Sequence, residues 1–388
     1  MNRRAVIGAT LGAAAMPTGA AATTRISETR LHGRDALTIA NGKMQLSVLP
    51  GGGFIGEVRL TSGNARADIN PMRVPHYPTI DPHTFSYAEH GALYGTDVQA
   101  RLTSGYMGHF TCFPQFGNQP EEFKAGDYSQ HGEALTVKWM REASTDLVMR
   151  AQLPHTQYGF QRSIAMLPDE TVATVTETVE NLMISDRPLQ WVQHVTLGPP
   201  FAEIGKMFAD ASVDRVMLGW GKSATLAAWP SSVNEKGAMH DYRAFSGEVG
   251  KWLLQRTGKN WVTAYHADYN VLLGYIFEAP ANPWLLDWQQ NRTNLHKPWD
   301  GKVVARGFCW GDSLIQGAKN AVMQGKNFGV PQYSWIDGRA SRSQTYTIFL
   351  AEIPTGFRGV TTLKTENGFI VLTEKETGKI LRVKASRV

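Results

Sequence analysis

The run Thr171-Val-Ala-Thr-Val-Thr-Glu-Thr-Val-Glu-Asn181 carries the clearest secondary-structure signal in the chain, because apolar and polar residues largely alternate along it. A period of two residues is typical of a β-strand with one buried and one solvated face. Residues 146–153, 160–166 and 189–196 are further runs of strand length, rich in valine, threonine and aromatic residues. Pro, Gly, Asn and Asp separate these runs, so we predict consecutive antiparallel strands.

The same pattern extends outward in both directions. Residues 44–60 read as a hairpin broken at Gly51-Gly52-Gly53, and strands are predicted at 261–265, 271–277 and 345–351, with a closing pair near 369–372 and 379–383. Periodicity is weak between residues 205 and 260. Residues 313–325 have helical spacing. No linker divides the chain, so we expect residues 23–388 to form one all-β domain, a large antiparallel β-sandwich with few short helices.

Composition narrows the classes of function. The 388 residues carry a formal net charge of +5, only 19% are charged, and the lysines and arginines are dispersed rather than clustered. Nucleic-acid binding is therefore not expected. The 10% of aromatic residues and 38 glycines suit a β-rich protein whose aromatic rings contact sugars. Cys112 and Cys309 are the only cysteines, and their spacing leaves open whether they pair.

The N-terminus has the features of an export signal. Arg3 and Arg4 precede a short apolar run, which ends in the small residues Ala20-Ala21-Ala22. The adjacent arginines also fit a twin-arginine signal. No run of about 20 apolar residues follows, so no membrane span is expected. We therefore predict that residues 1–22 are removed and that the mature protein is periplasmic or secreted.

Three segments concentrate chemically useful side chains. Residues 108–139 are rich in Gly and Pro and predict a long functional loop, in which His131 and Glu133 lie at the entrance to a strand predicted at 135–140. Residues 70–83 hold four prolines, which predict a rigid extended loop. His194 ends a predicted strand just before Gly198-Pro199-Pro200.

Several blocks of the chain, in order, resemble the aldose 1-epimerase or galactose mutarotase-like superfamily, in particular a bacterial aldose epimerase-like branch. The blocks are Asn70-Pro-Met-Arg-Val-Pro with Pro78-Thr-Ile-Asp-Pro, Gly108-His109 with Phe116-Gly117, His131-Gly-Glu-Ala134, Gln193-His194-Val-Thr-Leu-Gly198, Pro283-Trp284 with Trp288, and Ala305-Arg-Gly-Phe-Cys-Trp-Gly311. The resemblance covers most of residues 23–388. It implies a β-supersandwich whose concave face holds a monosaccharide.

The resemblance also implies a reaction. One side chain protonates the ring oxygen of the sugar while another removes the proton of the anomeric hydroxyl, so the ring opens and recloses as the other anomer. Such an acid and base need pKa values near the working pH, which favours histidine. By resemblance, His194 is the general acid and His131 hydrogen-bonds the sugar near its ring oxygen.

Further site residues follow from the same blocks. The resemblance places Asn70 and Arg73 among the ligands of sugar hydroxyls and Trp288 or Trp284 against a sugar face. His109 is a candidate for direct contact with the sugar or for support of a residue that makes it.

The general base is the point at which this chain departs from the family. Cys309 stands where relatives carry the candidate glutamate, and a thiol with an ordinary pKa of about 8.5 does not simply replace a carboxylate. Asp312 is the first alternative base, with Glu133 and Asp287 as the others, and Glu133, Asp287 and Cys309 are also candidates for substrate contact.

Three functions remain open from the sequence. The first is an exported aldose 1-epimerase, an isomerase that needs no metal or other cofactor and acts on a monosaccharide. The second is a carbohydrate-binding protein that lost the base and binds a monosaccharide or oligosaccharide. The third is a polysaccharide-cleaving enzyme on the same fold, which would need two carboxyl groups across one glycosidic bond.

Overall fold

The computed structural model describes residues 23–61, 63, 69–117, 129–220 and 223–388. The predicted signal segment, residues 1–22, lies outside the described residues. Within them the first strands are β1 Arg25–Leu31, β2 Arg34–Ala40, β3 Met44–Leu49, β4 Phe54–Leu60, β5 His109–Cys112, β6 Met140–Glu142, β7 Leu147–Leu153, β8 Tyr158–Met166, β9 Val172–Asn181, β10 Arg187–Leu189, β11 Val192–Leu197, β12 Met207–Ala211, β13 Val213–Leu218 and β14 Thr225–Ala227.

The strands continue with β15 Ser231–Val233, β16 Met239–Asp241, β17 Gly250–Leu254, β18 Lys259–His266, β19 Val271–Glu278, β20 Trp284–Asn291, β21 Val304–Gly311, β22 Lys326–Asn327, β23 Val330–Pro331, β24 Ser334–Ile336, β25 Ser341–Glu352, β26 Val360–Glu366, β27 Phe369–Glu374 and β28 Ile380–Lys384. The described helices are short: α1 Tyr87–Tyr94, α2 Ala100–Gly105, α3 Ala318–Gln324, and a 3-10 turn at Pro82–Thr84. None of the helices in the described ranges has the length and apolar character needed to cross a membrane.

Two large antiparallel sheets form a sandwich, as predicted. The large sheet has eleven strands in the order β1-β2-β3-β4-β5-β11-β21-β20-β17-β13-β14, and the small sheet has eight in the order β12-β18-β19-β25-β9-β8-β7-β6. Alternation along β8 buries Tyr158, Phe160 and Ile164 between the sheets, and Phe277 of the small sheet stacks on Trp310 of the large one at 4.1 Å between ring centroids. The apolar core between the sheets therefore fixes which face of each strand is hidden.

The closing strands form a separate unit of packing. Strands β26, β27 and β28 make a three-stranded sheet, and Ile370, Leu372 and Val383 pack there with Phe349 and Ile353 from β25 and the residue that follows it. The closing strand pair predicted near residues 369–383 is thus confirmed.

Most predicted strands are present, but several details differ. The predicted strand at 135–140 is wrong: Thr136 N donates to Glu133 O and the Trp139 indole donates to Ala134 O, both at 2.9 Å, so the chain turns there and β6 begins only at Met140. The loop predicted at 108–139 contains β5 at its start. The weakly periodic residues 205–260 hold the six short strands β12 to β17, and α1 and α2 follow the proline-rich segment.

The predicted helix at 313–325 is shorter than expected. Residues before α3 bind other partners, since Ile315 N donates to Ser313 Oγ and Leu314 N donates to Gln332 Oε1, both at 3.1 Å. Gly317, with φ of 84°, then reverses the chain before the helix begins. These bonds replace the first helical turn that the spacing alone predicts.

Candidate functional site

The middle of the large sheet carries a cleft on the face turned away from the small sheet. Phe110, His194, Cys309 and Leu286 are direct register partners on β5, β11, β21 and β20, so their side chains form one row on one face. Their chain neighbours point the other way: His109, for example, lies 5.5 Å from the rings of Tyr275 and Tyr346 in the small sheet. The cleft therefore uses the face that the sandwich core leaves open.

The cleft encloses about 220 Å³. Its described lining consists of aromatic rings, carboxamides and uncharged polar or apolar side chains: Gln99, Leu102, Thr103, Tyr106, Phe110, Phe116, Gln130, His131, His194, Leu286, Trp288, Gln290, Asn294, Trp299, Cys309 and Gln316. A concave site with ring faces and a few convergent polar groups is typical of a small-molecule site.

Two imidazole rings meet in this cleft. The centroids of His131 and His194 are 5.3 Å apart and the ring planes are nearly perpendicular, at 79°. Phe110 stacks on His194 at 4.6 Å and 15°, which fixes the plane of that ring. The two histidines named from the sequence, 63 positions apart in their numbering, are thus brought together by the fold.

The local backbone conformation places the His131 side chain in the cleft. His131 has a φ of 68° and its N–H donates to Gly117 O at 2.7 Å. The next residue, Gly132, has a φ of 95°, and a Cβ there would lie 2.3 Å from Phe113 O. Only glycine fits position 132, so the Gly after His131 is part of what presents the imidazole.

Both imidazoles are neutral. Burial lowers the pKa of His131 to about 3, and burial followed by the neighbouring His131 ring lowers the pKa of His194 well below its ordinary value. A buried ring without a counter-charge resists protonation because the charged form loses its hydration. At neutral pH each ring therefore offers one N–H donor and one nitrogen acceptor.

The hydrogen-bond network assigns the tautomer of His131. Its Nδ1 accepts the Gly117 N–H at 3.1 Å, and the Cys112 thiol, whose pKa is raised by burial, lies 3.3 Å from the same nitrogen. An accepting Nδ1 leaves the ring proton on Nε2. His131 Nε2 has no hydrogen-bond partner among the described residues, so its N–H is available to a ligand.

A chain of two hydroxyl groups contacts Nδ1 of His194. Tyr106 Oη lies 2.7 Å from Thr196 Oγ1, which lies 2.9 Å from His194 Nδ1. Burial raises the pKa of Tyr106 well above its ordinary value, so the phenol keeps its proton. Every hydrogen of this chain has an acceptor when Tyr106 donates to Thr196 and Thr196 donates to Nδ1. In this arrangement the proton of His194 is on Nε2, and both histidines present an N–H donor; in the opposite arrangement, in which Nδ1 donates to Thr196, His194 Nε2 is an acceptor.

Indole rings form the apolar part of the cleft. Trp288 lies 5.8 Å from both His194 and Trp299 between ring centroids. Gly307 lies below them, and a Cβ at that position would approach Trp288 Cε3 to 3.1 Å and His194 Cε1 to 3.2 Å. The absence of a side chain at Gly307 therefore leaves room for these two rings.

Cys309 lies on the cleft floor directly opposite His194 in the register. Burial raises the pKa of its thiol well above the ordinary value, so the sulfur stays protonated and does not act as a base at neutral pH. None of the described residues that line the cleft carries a carboxyl group. Cys112 and Cys309 are both free thiols, which answers the question of their pairing.

Comparison with solved structures identifies the fold. The chain aligns with a protein provisionally assigned as an aldose 1-epimerase from Klebsiella pneumoniae at TM-score 0.59 and 12% identity, over 85% of this chain and 84% of that one. It aligns with a galactose mutarotase-like protein from Clostridium acetobutylicum at TM-score 0.56 and 16% identity, over 85% and 99%. The chain has a galactose mutarotase-like fold. No protein-family model matches it, and no curated protein sequence matches it significantly.

Within this mutarotase-like fold, the three alternative bases lie outside the cleft lining. Glu133 is fully buried and accepts hydrogen bonds from His155 N and Thr156 N, both at 2.9 Å. Asp287 faces the sandwich core and forms a two-point ion pair with Arg306 at 2.9 Å. Asp312 accepts the Trp191 N–H at 2.9 Å, and burial raises its pKa to about 7. The structure therefore brings none of them opposite the imidazole pair.

Four other sequence candidates have supporting positions. Arg73 is buried behind the cleft wall, with its guanidinium 4.6 Å from the Tyr106 ring centroid. Asn70 pins the start of its loop by donating to Gly56 O at 3.0 Å. His109 binds Gln193 Oε1 at 2.9 Å on the core side, and Trp284 is buried with its indole donating to Pro331 O at 3.3 Å. Trp288, in contrast, lines the cleft as the sequence predicted.

Several cleft residues escaped sequence reasoning. Tyr106 and Trp299 belong to no predicted motif, and Thr196 and Gly307 were quoted only as members of blocks, without a role. Strand alternation around His194 is the signal that points to Thr196, because residues two apart on a strand share a face. Tyr106 and Trp299 come from connecting segments, for which no periodic signal exists.

Proposed function

We propose that the cleft binds a neutral sugar and that the protein is a carbohydrate-binding protein on the galactose mutarotase-like fold. The observation that carries this proposal is the pair of uncharged imidazole rings. The ring centroids of His131 and His194 are 5.3 Å apart, and the His194 ring lies beside the indole of Trp288. A sugar ring needs both kinds of contact, because it presents hydroxyl and ring oxygens at its edge and apolar C–H groups on its faces.

The charge of the lining supports a neutral ligand. The described lining residues include five carboxamides, at Gln99, Gln130, Gln290, Asn294 and Gln316, and no aspartate, glutamate, lysine or arginine. A phosphate or a carboxylate bound there would lose its hydration without gaining a counter-charge from these residues. Neutral hexoses or pentoses fit the lining better than sugar phosphates or uronic acids.

The described lining of the cleft has hydrogen-bond donors but no evident base, and this favours sugar binding over anomer interconversion. Anomer interconversion needs a base as well as an acid. When Thr196 donates to His194 Nδ1, both histidines present N–H groups to the cleft; Cys309 keeps its proton, and the described lining has no carboxylate. The described part of the cleft therefore supplies donors and lacks a ready acceptor of the anomeric proton.

An aldose 1-epimerase is the second candidate, and the same imidazole pair favours it. A neutral imidazole gives a proton at one nitrogen and accepts one at the other, so His194 would serve as base if Thr196 accepted from Nδ1 instead of donating to it. The other ring, His131, would then act as the acid on the sugar ring oxygen. This candidate follows the relatives, which are described as aldose 1-epimerase and mutarotase-like proteins.

Calorimetry and polarimetry on the purified mature protein separate the two candidates. Neutral hexoses and pentoses are titrated in turn, with a uronic acid and a hexose phosphate as charged comparisons. We expect a neutral sugar to bind, and His194→Ala to weaken binding about tenfold or more through the lost donor. His155→Ala, which removes an exposed histidine, is the matched control and should leave affinity unchanged.

The same samples then receive a freshly dissolved pure anomer of the sugar that binds. Binding without faster optical rotation change supports the binding protein, and acceleration that His194→Ala abolishes supports the epimerase. Cys309→Glu tests the missing base directly, because it places a carboxyl group opposite His194, and it should confer acceleration on a protein that only binds. If no neutral sugar binds, both candidates fail.

We also propose that residues 1–22 direct export of the protein to the periplasm or the medium. The proposal rests on the adjacent Arg3 and Arg4, the apolar run and the small residues that follow them. Cell fractionation of the full chain should recover a shortened product outside the cytoplasm. Changing both arginines to lysine should retain the uncut chain inside if the signal is of the twin-arginine type, whereas unchanged export would point to a general signal.

A further inference from the structure

A buried cation lies behind the wall of the cleft. Arg73 is 2% exposed, and its guanidinium lies among three aromatic rings, whose centroids are 4.6 Å away for Tyr106, 5.5 Å for Trp299 and 5.8 Å for Tyr77. Tyr106 and Trp299 both line the cleft. The positive charge therefore lies directly behind the surface that a ligand would contact.

The Arg73 guanidinium has no anionic partner among the described residues. Its Nη1 donates to Tyr106 O at 2.6 Å, and its Nη2 donates to Tyr77 Oη at 3.3 Å. The buried guanidinium groups of Arg162 and Arg306, in contrast, each contact a carboxylate, at 2.8 and 2.9 Å. A buried charge without a counter-ion acts strongly on neighbouring dipoles, because neither water nor an opposite charge screens it.

The backbone of Arg73 is fixed to β11. Arg73 N donates to Thr196 O at 2.8 Å, and Met72 forms an isolated β-bridge with Leu197. A Cβ at Gly198 would lie 2.7 Å from Arg73 Cα, so the glycine at that position allows the close approach of the two segments. Backbone contacts therefore fix where Arg73 lies relative to Thr196.

The Arg73 charge lies near the chain of two hydroxyl groups that ends at His194 Nδ1. Tyr106 Oη lies 2.7 Å from Thr196 Oγ1, which lies 2.9 Å from that nitrogen. The hydrogens of this chain point either toward His194, whose proton is then on Nε2, or toward Tyr106, which requires the proton on Nδ1. Arg73 contacts the Tyr106 end. A cation repels the positive end of each O–H dipole, so it favours hydrogens that point toward His194.

The same charge opposes protonation of the imidazole. Burial is the main cause that lowers the pKa of His194, the rings of His131 and His109 lower it further, and the Arg73 charge acts in the same direction. Burial raises the pKa of Tyr106, and the Arg73 charge opposes that rise, which makes the phenol a better donor. Both effects favour a neutral His194 whose Nδ1 is the acceptor.

We propose that Arg73 is a positioning residue that holds the ring proton of His194 on Nε2. Its charge acts through the two hydroxyl groups, and Arg73 itself does not have to touch the ligand. The consequence for affinity rests on sugar binding by the cleft: a neutral sugar gains an N–H donor that is oriented by a cation outside the cleft lining.

The ¹⁵N chemical shifts of the His194 ring, recorded near neutral pH, test this role. The unmodified protein should carry the proton on Nε2, and Arg73→Met should move the ratio of the two tautomers about threefold or more toward Nδ1. Arg73→Lys keeps a charge and should keep the preference for Nε2. Arg187→Met is the matched control, because it removes a guanidinium 3.9 Å from the ring centroid of Tyr158 in the small sheet, and it should leave His194 unchanged.

A second variant keeps the test decisive if Arg73→Met does not fold, which circular dichroism shows. Tyr106→Phe retains the guanidinium and removes the first hydroxyl, so it should shift the tautomer ratio in the same direction. A proton on Nδ1 in the unmodified protein refutes the proposal, as does an unchanged ratio in folded Arg73→Met or folded Tyr106→Phe. Equal shifts in Arg73→Met and Arg73→Lys would show that the packing of Arg73 matters and its charge does not.

Calorimetric titration with the neutral sugar that binds best adds a functional measurement. Arg73→Met should weaken binding, and Arg73→Lys should retain most of the affinity. If Arg73→Met shifts the tautomer and binds the sugar as tightly as the unmodified protein, the ligand does not use the donor that Arg73 orients, and that part of the proposal fails. If no neutral sugar binds to the unmodified protein, the proposed function fails, whereas the tautomer is measured without a sugar and still decides the role of Arg73.

Discussion

The two faces of the large sheet around β5 and β11 differ in the charge of the polar side chains buried against them. On the core face, Glu177 of the small sheet meets Arg162 at 2.8 Å, and both side chains are almost completely buried. On the cleft face, a few ångströms away through the same strands, the buried polar groups are the uncharged rings of His131 and His194.

The two faces differ in which groups complete the hydrogen bonds of the buried polar side chains. Glu177 accepts from Thr111 at 2.9 Å, from Gln193 at 2.6 Å and from the Trp191 indole at 3.1 Å, so the protein satisfies it entirely. Burial disfavours its charge, but Arg162 and these donors outweigh burial and hold the pKa of Glu177 below its ordinary value. The two cleft histidines keep Nε2 without a partner among the described residues. Protein groups complete the hydrogen bonds of Glu177 on the core face, whereas the Nε2 atoms of the two histidines on the cleft face remain available to a ligand.

The largest effect is expected from removing the cation of the core face. Arg162→Met leaves Glu177 buried without its guanidinium, and the loss of one partner of a buried ion pair costs about 3–5 kcal/mol. The free energy of unfolding from urea titration measures it. Arg30→Met, which breaks an ion pair with Asp35 whose side chains are 69% and 85% exposed, should change the same quantity by about 1 kcal/mol or less. Equal losses for the two variants would contradict the proposed contrast.

The same contrast explains which site residues sequence reasoning could place. His109 and Trp288 were named from motif blocks and Asp287 as an alternative base, and each has a strand neighbour that points to the opposite face, as in the pairs His109 and Phe110 or Asp287 and Trp288. Only Phe110 and Trp288 reach the cleft, while His109 and Asp287 bind Gln193 and Arg306 on the core face. Without the register between strands, the alternation does not reveal which member of each pair faces the ligand.

The fold was easier to predict from the sequence than the site. Strands with long alternating runs, such as β8 and β9, were predicted nearly to their ends because their pattern is local. Glu133 and Asp312 were misleading for the opposite reason. Their buried carboxyl groups satisfy the backbone N–H groups of His155 and Trp191, and such contacts depend on segments far away in the chain.

The next effect concerns the space under the cleft rings. Gly307→Ala adds a methyl group 3.1 Å from Trp288 and 3.2 Å from His194, which forces the rings to move. Overpacking of this kind costs about 1–3 kcal/mol in stability, and sugar affinity should fall with it. Gly159→Ala in β8 is the control, because its added methyl would meet only Glu180 at ordinary contact distances of 3.6 and 3.7 Å. Unchanged affinity in Gly307→Ala would mean that the ligand does not depend on the position of these two rings.

An intermediate effect is expected from pH. The pKa of His131 is about 3 in the folded protein against an ordinary 6.5, so below pH 6.5 the unfolded chain binds a proton that the folded chain does not. Stability is therefore lost as pH falls from 6.5 toward 3, at about 1.4 kcal/mol per pH unit for this group.

Comparing the protein with His131→Asn removes the contribution of the His131 ring, including its effect on the pKa of His194. Asp312, whose folded pKa of about 7 acts in the opposite direction, is present in both proteins and cancels in the difference. Unfolding free energies from urea titration at pH 6.5 and pH 5.5 should show a smaller loss on acidification for the variant. A loss equal to that of the unmodified protein would show that His131 is not held neutral by the fold.

The smallest effect, and the one that separates binding from catalysis most directly, concerns the relay behind His194. Thr196→Val removes the hydroxyl between Tyr106 and His194 and should cost about 1 kcal/mol, the usual contribution of a hydrogen bond. Thr176→Val, which removes an exposed hydroxyl 3.1 Å from that of Thr345, is the control. The ¹⁵N chemical shifts of the His194 ring report the tautomer: the unmodified protein should carry its proton on Nε2, and the variant should lose that preference because nothing then donates to Nδ1. If the unmodified protein instead carries the proton on Nδ1, the cleft presents a basic nitrogen to the sugar, and the aldose 1-epimerase becomes the better of the two candidates.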